Sequence, residues 1–409
     1  MVANSEQVII VGGGIAGLSA AASLASAGLP VILLEANKLG ASATSRNQGW
    51  LHSGALFAAD DIELARQCLK AMQQTISFCP RCVETSPQSS PLHHGLEKTH
   101  ENHSAGRAPL LEGMLFLTTH TETLLGRWTH AWNEVGIPHE EIGSERFAEL
   151  VPEADPAKVK RALLLPDRAF RPDILLDELA SMARNAGAEI RVESPVTELI
   201  VEDDIARGVV TGKGETIGAA QVVLSTGALT ERELAATHLS LVPGQPAEQR
   251  VALKTHLVSV RPDLSQVPFV FLDWHELNHV PHMQTSVFHS GTWKPTADPR
   301  DTKADPQELK KLWGEIESLF PEFDRSSATE VHEWAGTTVQ AMGLDQIAPG
   351  KAPRPAVIDH GDEGGPQNLW SIYPGRATLW PHLAEELRTR LLPRVHRQPV
   401  DIKAPPWAI

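Results

Sequence analysis

Three glycines in the pattern Gly12-x-Gly14-x-x-Gly17, with Glu35 18 residues beyond the last of them, are the residues whose types and spacing point most directly to chemistry. Glycines at this spacing let a strand-to-helix turn tighten and bring its backbone close to a pyrophosphate at the helix N-terminus, where the helix dipole favours negative charge. A carboxylate at the end of the next strand accepts hydrogen bonds from ribose hydroxyls and disfavours a ribose 2′-phosphate, which points to NAD or FAD rather than NADP. Cys79-Pro80-Arg81-Cys82 has the spacing of a redox pair or of half a zinc site. There is no second such pair, and Cys68 lies on a helical pattern among apolar neighbours, so a chance pair is the simpler reading. His93, His94, His100 and His103 sit in a polar stretch that reads as a solvated loop, and no metal is expected. Tyr373 is the single tyrosine, which leaves tyrosine proton transfer nowhere else to act.

The elements that must position these residues follow from apolar runs and breakers. Val8 to Leu34 carries no charge and is long enough to cross a bilayer, but glycines near its start and Gly28 and Pro30 near its end divide it into strand, helix and strand. The first strand is Val8–Val11, the helix runs from Ile15 to Ala27, and the second strand ends at Glu35. Neither strand alternates apolar with polar residues, as expected in a parallel sheet covered on both faces. Further helices are expected from Asp61 to Cys82, with Asp60 and Asp61 as caps, from Asp173 to Ala186, from Pro306 to Phe320 and from Thr378 to Leu392. Strands are expected at Glu189–Val192, Val196–Val201, Val222–Leu224, Arg250–Val260, Val267–Leu272 and Leu369–Tyr373, with a hairpin through Gly208 and Gly212. Residues 86–107 read as a mobile surface insertion, and the chain closes in a Pro-rich tail.

The expected fold is α/β: a doubly wound, Rossmann-like dinucleotide domain that starts with a βαβ unit, carrying an inserted α+β substrate domain with a mostly antiparallel sheet. Residues 1–80, 151–230 and 335–409 are assigned to the first domain, and 81–150 and 231–334 to the second. With 409 residues, 42% hydrophobic and 21% charged, the chain has the composition of a globular protein of two to three domains. A net charge of −15 with no Lys/Arg cluster argues against nucleic acid as a partner. Three cysteines and an N-terminus without the basic stretch of a secretory signal make the cytoplasm the expected compartment, and no transmembrane segment is expected.

The choice between NAD and FAD rests on a resemblance. The run Gly40-Ala41-Ser42-Ala43-Thr44-Ser45-Arg46-Asn47-Gln48-Gly49-Trp50-Leu51-His52-Ser53-Gly54-Ala55 resembles the second flavin-contacting segment of the D-amino-acid-oxidase superfamily, nearest the glycerol-3-phosphate dehydrogenase branch and the large chain of its anaerobic form. Ser194-Pro195-Val196-Thr197, Ser225-Thr226-Gly227-Ala228, Leu253-Lys254-Thr255-His256-Leu257-Val258 and Tyr373-Pro374-Gly375-Arg376-Ala377-Thr378-Leu379-Trp380 resemble four later segments of that family in the same order. The resemblance implies FAD as cofactor, held by Gly12, Gly14, Ile15, Ala16, Gly17, Glu35, Ala36, Thr44, Ser45, Arg46, Gly49, Trp50, Leu51, Val196, Thr226, Gly227, Gly375, Arg376, Ala377 and Thr378. Trp50, Trp334 and Trp380 flank the matched segments and could wall a pocket, although buried tryptophans are more often core.

Two departures bear on the substrate. Where the glycerol-phosphate branch has arginines that are implied to hold the anionic substrate, this sequence has Leu56 and Thr338, and neither can replace a bidentate guanidinium. The family's C-terminal lysine is replaced by Arg376. His52 is the leading candidate base because its ordinary pKa suits proton transfer near neutrality. Lys254 and His256, two apart on one strand, share a face and are further candidates with Arg376. The expected activity is dehydrogenation of a C–OH or C–NH bond of a small molecule other than glycerol 3-phosphate. The alternatives are an amine or amino-acid oxidase and a non-catalytic electron-transfer flavoprotein. The electron acceptor (oxygen, a quinone or a partner protein) is left open, as is peripheral membrane contact by family analogy.

Overall fold

Val8–Val11 (β1), Ile15–Ser26 (α1) and Val31–Leu34 (β2) form the βαβ unit that the glycine spacing calls for, and β1 pairs in parallel with β2 residue for residue. The computed structural model describes residues 6–84, 113–119, 122–227, 251–273, 277–298, 300–340, 354–395, 404–405 and 407–408. Around β1 a six-stranded sheet builds in the order 356–359, 369–373, 221–224, 8–11, 31–34, 189–191, parallel throughout except for the antiparallel edge strand Ala356–Asp359. α1 is buried along nearly its whole length, between the helices Pro172–Asn185 and Trp380–Val395. Small residues on its surface (Ala20, Ala21, Ala22, Ser23) permit that close approach.

The second sheet has nine strands. Near one edge, the strand Val251–Arg261 pairs antiparallel along its full length with Glu330–Gln340 on one side and over Leu257–Val260 with Thr285–His289 on the other. The helix Pro306–Leu319, capped by Asp305, covers it with Leu312, Trp313 and Ile316. Two connections join the sheets to the site: Trp50–Leu51 pairs with Arg168–Ala169, and the helix Ile62–Phe78 lies against the turn Ala377–Leu379.

The structure moves several boundaries. Arg161–Leu165 pairs with Met114–Thr118 in the nine-stranded sheet, so the chain returns to the nucleotide side after Ala169 rather than at 151. Glu330–Gln340 likewise carries that sheet past 335, because it needs its whole length to match its partner strand. The helix expected to run to Cys82 stops at Phe78, where Pro80 opens a separate 3-10 turn. Asp61 caps this helix by accepting from the Leu64 N–H, while Asp60 pairs with Arg127. The hairpin expected through Gly208 and Gly212 is present, Ile205–Thr211 pairing antiparallel with Thr216–Gly218 across a turn that opens at Gly212. A second turn at Asp203 and Asp204, both at positive φ, joins the same strand to Val196–Glu202, and Gly208 marks a bulge in that pairing. Trp407 of the Pro-rich tail is buried against Trp380 and Phe78, a core contact that composition did not reveal. The expected insertion 86–107 lies outside the described residues.

Candidate active site

The turn after β1 is shaped by what glycine lacks. Gly12 has φ +107, and a Cβ on Gly17 would run into the Gly12 carbonyl oxygen and the Ser225 hydroxyl. Ser225 Oγ lies 2.8 and 2.9 Å from the carbonyl oxygens of Val11 and Gly12, which fixes the strand Gln221–Leu224 against this turn. α1 begins with Gly14, which offers no side-chain cap, so its first amides are left for an anion apart from Ile15 N–H, which donates to Thr44 Oγ1 at 3.2 Å. Glu35 sits over the same turn, accepting from Gly13 N–H at 2.7 Å and Asn37 N–H at 2.8 Å. A cradle that any side chain would fill, an uncapped helix end and a carboxylate beside it fit the ADP half of FAD.

The second segment continues the cradle. Thr44 is buried beneath the turn, Ser45 and Ala36 are exposed, and Arg46 is half-buried with its carbonyl accepting from Trp334 Nε1 at 3.2 Å. Gly49 has φ +70 and lies too close to the Phe170 carbonyl and the His282 ring for any side chain. Val196 stands on a separate three-stranded sheet whose approach to Glu35 is fixed by Ser194 N–H donating to the Glu35 carbonyl at 2.9 Å. Thr226 and Gly227 are half-buried after the strand Gln221–Leu224. Thr378 Oγ1 accepts from the His52 backbone N–H at 3.0 Å, which brings the C-terminal loop Gly375–Thr378 onto the second segment. Gln48 Oε1 and His52 Nδ1 are buried there with no hydrogen-bond partner among the described residues.

His52 is 6% exposed. Its ring lies 4.2 Å from Trp50 and 5.2 Å from Phe57, centroid to centroid, and burial, helped by the Arg376 and His289 charges, holds its pKa well below the usual histidine range. The Arg376 guanidinium lies over the Phe57 ring at 4.5 Å. Asp167 and His289 carried no signal in the sequence. Asp167 is fully buried behind His52, accepting from Trp50 Nε1 at 2.8 Å and from the Ser53 hydroxyl, and burial pushes its carboxyl up to about 6. His289 is held at Nε2 by Thr255 Oγ1 (2.9 Å) and at Nδ1 by Asn278 Nδ2 (3.2 Å), and burial with the charges of Arg376 and His256 pushes it down to about 3. Partners this distant along the chain, 117 residues for Asp167 and 34 for His289, leave no local pattern to find them by.

Of the candidate catalytic residues, the structure brings His52 and Arg376 together beside His289, which the sequence had not marked, and His256 adjoins His289. His256 is buried with Nε2 lacking a hydrogen-bond partner among the described residues, and burial with the nearby Lys254 charge lowers its pKa. Lys254 is engaged elsewhere: its ammonium donates to Asp301 at 2.7 Å. Trp380 belongs to the core, donating to Thr75 Oγ1 and packing on Phe78 and Trp407. Cys79 and Cys82 are buried thiols, and burial raises both pKa values. His93, His94, His100 and His103 lie outside the described residues.

A glycine-cradled dinucleotide sheet set against a mixed sheet whose polar side chains meet at the cofactor segment defines a dinucleotide-dependent oxidoreductase. The chain belongs to the DAO family, described as FAD dependent oxidoreductase, whose family model matches residues 7–372. The protein is therefore an FAD-dependent enzyme with the Rossmann-like fold of that superfamily. It is 31% identical over 231 residues to an anaerobic glycerol-3-phosphate dehydrogenase subunit of Escherichia coli, covering 55% of this chain and 38% of that protein. A Haloferax volcanii protein that is also an anaerobic glycerol-3-phosphate dehydrogenase subunit is 25% identical over 411 residues, covering 94% and 63% respectively. The chain thus spans less than two thirds of the length of these relatives. Among solved structures it superimposes on glycine oxidase from Geobacillus kaustophilus (TM-score 0.69, 22% identity, 97% of this chain and 100% of that one). L-proline dehydrogenase from P. horikoshii is similar (TM-score 0.68, 18% identity, 98% and 96%). These two likenesses concern the fold. No described helix is long and apolar enough to cross a membrane.

Proposed function

We propose that the protein dehydrogenates a C–OH or C–NH bond of a small molecule other than glycerol 3-phosphate, with His52 accepting the proton. The observation that carries this reading is His52 itself: an imidazole kept neutral by burial, on the segment that meets the C-terminal cofactor loop through Thr378. When bound, FAD supplies the acceptor for the hydrogen and electron pair that leave the carbon. The chain's own groups do the rest. His52 takes the proton from O–H or N–H, Trp50 and Phe57 flank the ring and keep water from it, and Arg376 supplies positive charge for an anionic group of the substrate. Against glycerol 3-phosphate stand Leu56, packed among apolar side chains, and Thr338, half-buried on the strand Glu330–Gln340 opposite Leu253. Neither offers the charge that a phosphate calls for.

Anaerobic titration of the purified yellow protein with glycerol, lactate, N-methylglycine and glycerol 3-phosphate, watching the flavin band, tests the reading. Bleaching by a hydroxy acid, a polyol or an amine, with glycerol 3-phosphate inert, is the expected result. Rapid bleaching by glycerol 3-phosphate would overturn it. His52→Gln should retain its flavin and reduce about 100-fold more slowly. Because the pKa of His52 is lowered, the base stays neutral at pH 6, and the rate should hold there and fall only in more acidic solution. Admitting oxygen or a soluble quinone to the reduced protein identifies the acceptor.

A further inference from the structure

We infer that Asp167 is the positioning residue for His52: it fixes the neutral imidazole with its proton on Nδ1 and so leaves Nε2 bare to accept the substrate's proton. The use made of Nε2 rests on the function proposed above; the position of the ring proton is a property of the protein alone.

Asp167 stands in the short connection between the strands Arg161–Leu165 and Arg168–Ala169, and the second of these pairs with Trp50–Leu51. That pairing delivers a fully buried carboxylate to the back of the segment that carries His52. Both of its bonded donors come from the same segment: Trp50 Nε1 to Oδ1 and the Ser53 hydroxyl to Oδ2. Two donors hold the carboxylate as an acceptor, and His52 Nδ1 lies 3.9 Å from Oδ1. Nδ1 has no hydrogen-bond partner among the described residues. The ring is confined between Trp50 and Phe57, and its backbone is tied to Thr378. In that position a bare Nδ1 would set its lone pair against a carboxylate, whereas an Nδ1–H is attracted to it. The separation exceeds a hydrogen bond, as is common before substrate tightens a site. Above about pH 6 the carboxylate is charged, because burial raises its pKa that far while Ser53, Trp50 and Arg168 oppose the rise. When the substrate's O–H or N–H bond breaks and its proton passes to Nε2, the imidazolium forms beside a counter-charge already in place. Arg376 and His289 oppose that charge, while the Asp167 carboxylate, 3.9 Å from Nδ1, is placed to favour it.

The holoenzyme labelled with 15N-histidine, at pH 8, gives the ring protonation directly from its two-bond proton–nitrogen spectrum, with His52 assigned by its loss in His52→Gln. Wild type should show the proton on Nδ1. In Asp167→Asn one acceptor oxygen becomes a donor amide, and the tautomer should shift to Nε2–H or to a mixture; Asp167→Glu should restore Nδ1–H. Flavin reduction by whichever of glycerol, lactate or N-methylglycine bleaches the wild type should slow about 10²–10³-fold in Asp167→Asn with flavin content unchanged. A wild-type ring protonated on Nε2, or a tautomer and rate unchanged in Asp167→Asn, would overturn the inference. The wild-type spectrum decides even if the asparagine variant does not fold. A His52→Gln protein that is reduced at the wild-type rate would instead sink the proposed function and leave the tautomer result standing.

Discussion

In the six-stranded sheet the recognition surface is backbone. β1 and β2 bury Val8, Ile9, Ile10, Val11, Val31, Leu33 and Leu34, and what they present at their ends is a turn of glycines, an uncapped helix and one carboxylate. In the nine-stranded sheet the buried polar groups are side chains: His279 packs on Phe269 and Phe288, and His256, His289, Asn278, Thr255 and Ser286 are buried with it in the same sheet. Most are paired across strands, as Thr255 is with His289 and His279 with Ser286. Backbone recognition tolerates no added atoms but does not depend on pH. Side-chain recognition tolerates substitution of its surroundings but carries a protonation cost, because each buried imidazole must stay neutral.

The sharpest way to break this contrast is at Gly17. A methyl group there meets the Gly12 carbonyl oxygen and the Ser225 hydroxyl, and since Gly12 is fixed by its own N–H donating to the Leu34 carbonyl at 2.8 Å, the turn has little freedom to yield. Gly17→Ala should cost about 3 kcal/mol, the upper end of overpacking penalties, and weaken FAD binding roughly 100-fold. Flavin fluorescence during titration of the apoprotein measures it. An alanine variant with wild-type affinity would show that close backbone approach is not what the glycines are for.

Acid should separate the two sheets next. His279 is fully buried, with Nδ1 3.2 Å from the Val267 carbonyl and Nε2 2.8 Å from Ser286 Oγ, and burial pushes its pKa down to about 3. A folded pKa below the unfolded value near 6.5 means that the neutral ring's contribution is fully present above pH 6.5 and is lost as pH falls toward 3. The slope is about 1.4 kcal/mol per pH unit for each such histidine, or about 3 kcal/mol by pH 4.5. Urea unfolding of His279→Gln between pH 7 and 4.5 should show a slope shallower by that amount, whatever its stability at pH 7. An unchanged slope would mean that the imidazole is not held neutral.

What could be read from sequence divides along the same line. The fingerprint residues Gly12, Gly14, Gly17 and Glu35 are legible because one βαβ unit holds them within 24 positions, and strand, turn and helix each follow from adjacent residue types. Asp167 and His289 were not, because their neighbours at the site come from strands 117 and 34 residues away and only the sheet register joins them. Alternation correctly put Lys254 and His256 on one strand, but it could not show that Asp301 takes the ammonium of Lys254. Gly208 and Gly212 were legible as a hairpin, and its turn does open at Gly212, but the preceding turn at Asp203 and Asp204 has no glycine to mark it, and Gly208 proves to absorb a bulge within the strand.

The joint between the regions gives the smallest effect and the most specific one. His282, on the hairpin of the nine-stranded sheet, places Nδ1 2.7 Å from Glu84 Oε2 and Nε2 2.7 Å from the carbonyl oxygen of Gln48, next to Gly49 in the cofactor segment. Burial disfavours its charge, but the hydrogen bond and charge of Glu84 and the Gln48 carbonyl outweigh this, and its pKa is raised. Only the imidazolium donates at both nitrogens; the neutral ring must release either Glu84 or Gln48. A folded pKa above the unfolded one makes the clamp's contribution fully present below about pH 6.5 and lost as pH rises through the raised value, the reverse of His279. His282→Gln should therefore weaken FAD binding about tenfold at pH 6, near 1.4 kcal/mol, and by less at pH 9, where the wild-type clamp has itself let go of one partner. Flavin titrations at the two pH values read both numbers. Equal losses at pH 6 and pH 9 would make His282 a packing group and leave the cofactor segment's position to the parallel sheet alone.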